Sequence, residues 1–188
     1  MRLFAAVTPP AAALDHLDAR LAPVRDRVGV PRWAGRGGQH LTLAFFGEVP
    51  DARLDALTSA LDAALTGHPT VHLRLAGAGT FPERGMPRVL WVGVDGDVEQ
   101  LARMARSATL AARSAGVPVE RRPYHPHLTV GRWRAAGPVD RTVTAALAGY
   151  AGPHFAVDDV VLIRSQLGPR PSYETLASWP AASGSGQR

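Results

Sequence analysis

The 188-residue sequence predicts an α/β (α+β) fold made by duplication, with two lobes related by a pseudo-twofold axis. Three observations predict it. Apolar runs of strand length alternate with segments of helical apolar spacing along the chain. HLTLAFFGEV, beginning at His40, and HLTVGRWRAA, beginning at His127, open alike 87 positions apart. Sliding the first half forward by that distance lays RLFAAV on VLWVGV, one helical segment on the next, and TVHLRL close to VDDVVL. The order strand, helix, motif strand, helix, strand thus occurs twice, as an internal repeat does. The repeat covers about 1–80 and 88–180 within one domain of 1–180, and the polar tail AASGSGQR over 181–188 is expected to be disordered.

The elements follow in order. RLFAAV (Arg2–Val7) is a short apolar run, expected as a buried strand. Thr8 and Pro9 have the form of an N-cap followed by proline at the first helical position. Leu14, Leu17, Leu21, Val24 and Val28 then recur at helical spacing. PRWAGRGG reads as a glycine-rich loop, and the first motif strand follows. Leu54, Leu57, Leu61 and Leu65 mark a second helix, ended near Gly67-His68-Pro69, and TVHLRLAG alternates as a half-buried strand does. In the second half RVLWVGV is a strand, and Asp97 with Gln100 resembles a capping box opening a helix to about Ser114. The loop GVPVERRPYHP leads to the second motif; Val139–Gly149 reads as a short helix, and HFAVDDVVLIRS and SYETLASW as strands.

Composition narrows the chemistry. With 46% hydrophobic residues the chain can bury an ordinary core. No apolar run approaches the roughly 20 residues of a membrane span, and Pro9-Pro10 interrupts the N-terminus too early for a signal peptide. A cytoplasmic protein, monomeric and without a membrane partner, is the expectation. Cysteine is absent, which excludes disulfides, thiolate metal sites and thiol nucleophiles. The formal charge is +5 and all the basic side chains counted with it are arginine, whose fork suits phosphate oxygens.

In a strand, residues two apart share a face. His40 and Thr42 therefore share one face, as do His127 and Thr129, while Leu41, Leu43, Leu128 and Val130 face the other way. By chance, two His-Leu-Thr triplets in such a chain are expected on the order of once in a thousand sequences. If the lobes are related by a twofold axis, both polar pairs line one cleft. Two imidazoles across a cleft suit general acid–base catalysis near neutral pH. Two threonine hydroxyls suit two non-bridging oxygens of one anion. A phosphate diester fits both pairs at once.

The two motifs, in order and spacing within a duplicated α/β chain, resemble the two-histidine phosphoesterases. HLTLAFFGEV and RPYHPHLTVGR, with RLFAAV and YETLASW at the ends, are similar to the RNA 2′,3′-cyclic phosphodiesterases, long called 2′–5′ RNA ligases. The resemblance runs from about Arg2 to Trp179. It implies antiparallel sheets lining a central V-shaped groove, with helices outside. It implies hydrolysis of RNA 2′,3′-cyclic phosphate ends to 2′-phosphate ends without metal or nucleotide cofactor, His40 as acid and His127 as base. Some members also ligate RNA reversibly through 2′–5′ linkages.

Other residues extend or rival this reading. Arg132 stands where that family carries arginine, and a bulge at Gly131 is needed to bring it onto the histidine face. Phe45 or Phe46 is expected to stack on a base, and Tyr124 with His125 to shape the groove wall. Arg121 and Arg122 are expected at the surface, and Asp158-Asp159 in a solvated turn. His16, His68, His72 and His154 have no assignable partner. His40, His125 and His127 together offer an alternative, three imidazoles for a metal-dependent hydrolase. A nucleotide- or RNA-binding module without catalysis is the third reading.

Overall fold

The computed structural model describes residues 1–120, 122–134, 139–168 and 171–182. Arg121 and most of the expected tail, 183–188, lie outside them; Ala181 and Ala182 donate backbone hydrogen bonds to the Asp158 and His68 carbonyls, at 2.6 and 2.8 Å.

The chain runs β1 (Arg2–Val7), α1 (Ala11–Leu21), β2 (Arg32–Trp33), β3 (Leu41–Glu48), α2 (Leu54–Leu65), β4 (Val71–Phe81), β5 (Val89–Gly96), α3 (Val98–Ser114), β6 (His127–Arg132), α4 (Thr142–Ala146), β7 (Ala151–Val157), β8 (Asp159–Gln166) and β9 (Ser172–Pro180). The strands form one antiparallel sheet in the order β7-β4-β5-β6-β3-β1-β8-β9, with β2 alongside β6. The order is symmetric about the β6–β3 junction: β6 answers β3, β5 answers β1 and β4 answers β8. β4, the last strand of the first half, therefore sits in the second half's part of the sheet, and β8 sits beside β1. The helices interleave too, since α1 packs on β4 and β7 while α3 packs on α2 and β3. Leu3, Leu17, Leu41, Leu57, Leu61, Leu73, Leu90, Leu101 and Leu128 are all fully buried in one continuous core under both halves.

Several local expectations change. Thr8 does not cap α1; Pro10 stands at its N-cap in extended geometry, because a proline pushes the residue before it, here Pro9, out of the helical region. The helix ends at Leu21 because Pro23 has no N–H to continue it; a 3₁₀ turn follows over Ala22–Val24, and Val28 is exposed. Asp97 is the N-cap of α3, but its carboxylate accepts the His72 N–H at 2.9 Å instead of capping the helix. The run HFAVDDVVLIRS breaks at Asp158 into β7 and β8, on opposite flanks of the sheet. One residue separating strands so far apart in sheet order requires the sheet to curl until its flanks approach.

Candidate active site

The two motif strands are neighbours. β3 and β6 pair antiparallel through Leu41↔Leu128, and both leucines point into the core with no exposure. Residues directly opposite in an antiparallel pair share a face, which alternates along the strands. Extending the register one residue each way sets His40 level with Thr129 and Thr42 level with His127, all four opposite the core. The pseudo-twofold axis thus passes through the leucine pair, and each histidine faces the other motif's threonine. Among the described residues neither threonine hydroxyl is engaged by a protein group.

The flanking strands hold each imidazole differently. His40 lies 4.5 Å from the Phe4 ring, stacked at 29°, and meets Tyr173 edge-on at 5.6 Å. Its Nδ1 is buried outside hydrogen-bond geometry, with the Gly37 carbonyl its polarising neighbour. Burial pushes His40 down to about 4; the Gly37 carbonyl opposes this, and the charges of His127 and Arg132 add to it. His127 donates from Nδ1 to the His125 carbonyl at 2.7 Å, which in the neutral ring leaves the lone pair on Nε2. Phe81 lies edge-on to it at 5.1 Å. Burial lowers His127 as well, partly offset by the His125 carbonyl and aided by the charges of His125 and Arg132. Both imidazoles are therefore neutral in the free protein at neutral pH.

Arg132 reaches the histidine face through a bulge, but at Val130 and not at Gly131. Trp91 pairs with Thr129 and Leu90 with Gly131, so Val130 is the extra residue and Arg132, opposite Val89, returns to the side of Thr129. Its charge is felt by both histidines. Gly131 is required for another reason: a Cβ there would stand 2.8 Å from the Pro31 side chain.

The remaining expected residues divide. A bulge at Leu43 sets Phe45 opposite Phe4, on the histidine face. Phe45 is 41% exposed with the Arg2 guanidinium 4.5 Å above its ring. Phe46 is a correction: it is 3% exposed, packed in the core, and presents no face to a ligand. Tyr124 also packs against the core with its hydroxyl buried and unbonded, and burial pushes its phenol up. The wall beside His127 is made by His125 with Phe81 and Trp91, at 5.6 and 4.8 Å from the His125 ring. Among the described residues no group of three or more His, Cys, Asp or Glu side chains is arranged to hold a metal, His40, His125 and His127 included. Outside the groove, His68 is buried with its ring nitrogens 2.9 and 3.1 Å from the Pro69 and Trp179 carbonyls, and His16 meets the Tyr150 hydroxyl.

Sequence reasoning misses four groups. Phe4 reads only as part of a buried strand. Tyr173 comes from β9, beyond β8 and β1 in the sheet, and lies against Gly37 and Gly38, where a Cβ would stand 3.3 and 3.2 Å from its ring and hydroxyl. Trp91 lies over Gly79, whose absent Cβ would fall 2.3 Å from the indole; the glycines of AGAGTF are the available signal. Arg32, in the expected loop, pairs directly with Arg132.

Comparison with known proteins places this geometry. A family profile described as the 2'-5' RNA ligase superfamily matches residues 9–169. An RNA 2',3'-cyclic phosphodiesterase of Methanothermobacter thermautotrophicus is 31% identical over 173 residues, 90% of this chain and 92% of its own. One from Thermus thermophilus is 33% identical, covering 94% and 88%. One from Geobacillus stearothermophilus is 36% identical over 79% of this chain, which spans 47% of that longer relative. Among solved structures, a Thermus thermophilus protein matches with TM-score 0.80 and 26% identity over 98% of this chain and 100% of its own. E. coli LigT complexed with 3'-AMP matches with TM-score 0.75 and 26% identity, over 97% and 98%.

Proposed function

The chain belongs to the 2'-5' RNA ligase superfamily, and we propose that it hydrolyses RNA 2′,3′-cyclic phosphate ends to 2′-phosphate ends by general acid–base catalysis. The observation that carries this reading is the β3–β6 register, which sets His40 beside Thr129 and His127 beside Thr42 on one face. The relatives named as RNA 2',3'-cyclic phosphodiesterases supply the substrate class.

The reaction follows from the positions. Thr42 and Thr129 donate hydrogen bonds to the two non-bridging oxygens. Nε2 of His127 is free to take a proton because Nδ1 is committed to the His125 carbonyl. Water, losing that proton, attacks phosphorus, and the bond to the 3′-oxygen breaks. His40 gives its proton to that oxygen, leaving a 3′-hydroxyl and a 2′-phosphate. Arg132 opposes the negative charge that builds on phosphorus oxygens. His40 must first be charged, and it is neutral in the free protein. The bound anion reverses this, since a neighbouring negative charge favours the imidazolium. Substrate binding and proton uptake by His40 are thus one event. With a 5′-hydroxyl attacking in place of water, the same groups make a 2′–5′ linkage and free the 3′-hydroxyl; run backwards, they cleave that linkage to the cyclic phosphate.

The test is incubation with an RNA ending in a 2′,3′-cyclic phosphate, with and without EDTA. A 2′-phosphate product is expected in both, and His40→Ala or His127→Ala should each lower turnover by at least about 10². An inactive wild type, or activity abolished by EDTA and restored by one ion, overturns the reading.

A further inference from the structure

Arg32 and Arg132 are direct partners across the β2–β6 pair. Direct partners project to the same face. The next pair, Trp33↔Gly131, faces the other way: Trp33 packs on the core and its indole donates to the Arg25 carbonyl at 3.0 Å. That alternation sets Arg32 with Arg132 on the histidine face, one strand spacing apart, about 5 Å. Both are exposed. Among the described residues no carboxylate pairs with Arg132. Arg132 influences both histidines, while Arg32 stands one strand away, beyond the end of β3 where the motif pair opens. Two adjacent guanidiniums serve one anion more than a single scissile phosphate needs, and the second lies outside the four-residue cluster.

We propose that Arg32, beside Arg132, forms a second phosphate subsite, which takes the phosphate on the 5′-oxygen of the terminal nucleotide. The proposal rests on the reading above. An RNA ending in a 2′,3′-cyclic phosphate carries only one neighbouring phosphate, the one joining its last nucleoside to the chain. Arg32 thereby makes the site prefer an RNA end to a free cyclic nucleotide, through a charge-assisted contact with no base involved.

The experiment compares a nucleoside 2′,3′-cyclic phosphate with the same molecule carrying a 5′-phosphate, so that no second base is added. Wild-type kcat/KM should be at least about tenfold higher for the 5′-phosphorylated substrate, the scale of one charged hydrogen bond. The ratio should fall as salt rises. In Arg32→Gln it should drop to about one to three, and Arg32→Lys should restore part of it. A purely structural role for Arg32 would lower both rates and keep the ratio. A wild-type ratio near one, or a ratio unchanged in Arg32→Gln, overturns the subsite while leaving the phosphodiesterase reading intact. Hydrolysis of neither substrate, nor of the RNA end, overturns both.

Discussion

Because His40 sits at about 4 in the free protein, activity should depend on pH in a direction unusual for a histidine acid–base pair. The acid must carry a proton that burial against Phe4 opposes. At pH 7 the protonated fraction of His40 is about 10⁻³, equivalent to about 4 kcal/mol. His127 is also lowered, so it is a ready base from below its ordinary range upward. The profile of kcat/KM reports the free enzyme. It should therefore peak on the acid side of 6.5 and fall about tenfold for each pH unit above that. The profile of kcat reports the complex, where the bound phosphate raises His40, so its alkaline limb should lie at higher pH. The assay is initial rates on a 2′,3′-cyclic nucleotide from pH 4.5 to 8.5, with circular dichroism confirming folded protein at each pH. Stability follows the same group. His40 takes a proton near 6.5 when unfolded and near 4 when folded, so the unfolded state binds more protons between those values and stability falls as pH drops through that window. The loss is up to about 3 kcal/mol and should be smaller in His40→Ala. A kcat/KM that is flat or rising from pH 6.5 to 8.5, with kcat following it, would refute a buried His40 acting as the acid.

Two further outcomes test the walls of the groove. Thr42→Val and Thr129→Val keep size and branching while removing a hydroxyl, and each should lower kcat/KM by about 1–3 kcal/mol with little change in melting temperature; unchanged values in both would make the threonines structural. Gly79→Ala places a methyl group where the Trp91 indole lies, and should cost about 1–3 kcal/mol of stability as the ring is displaced. A shift in Trp fluorescence and a loss of activity should accompany that cost, because Trp91 flanks His125 and His127.

The histidine–threonine quartet is legible because it obeys strand parity: period two puts His40 with Thr42 and His127 with Thr129, and the repeat pairs the pairs. Parity fails wherever a bulge intervenes. Val130 carries Arg132 to the face that simple alternation denies it, and Leu43 does the same for Phe45 while leaving Phe46 in the core. Bulges answer to neighbouring strands, so a local sequence marks them poorly. Tyr173 is invisible for a stronger reason: it reaches His40 from β9, and nothing near either residue encodes that pairing. Cap patterns mislead as well, since the Asp97 carboxylate serves the His72 N–H in β4, a partner 25 residues away in sequence.

The crossing of β4 and β8 settles what kind of object the molecule is. Among the described residues β4 pairs with β5 and β7, and β8 with β1 and β9. Neither half of the chain contains a sheet complete enough to stand by itself, so the repeat visible in the sequence is not a pair of autonomous folding units. Its two copies are woven, and most contacts that hold the weave join residues far apart in sequence, which makes for slow folding. Cutting the chain in the exposed turn over 82–86 would leave two fragments still interlaced through β4 with β5 and β1 with β8. The same weave sets the two histidines on adjacent strands of one continuous sheet, so the backbone that carries one cannot swing away from the backbone that carries the other without breaking that sheet.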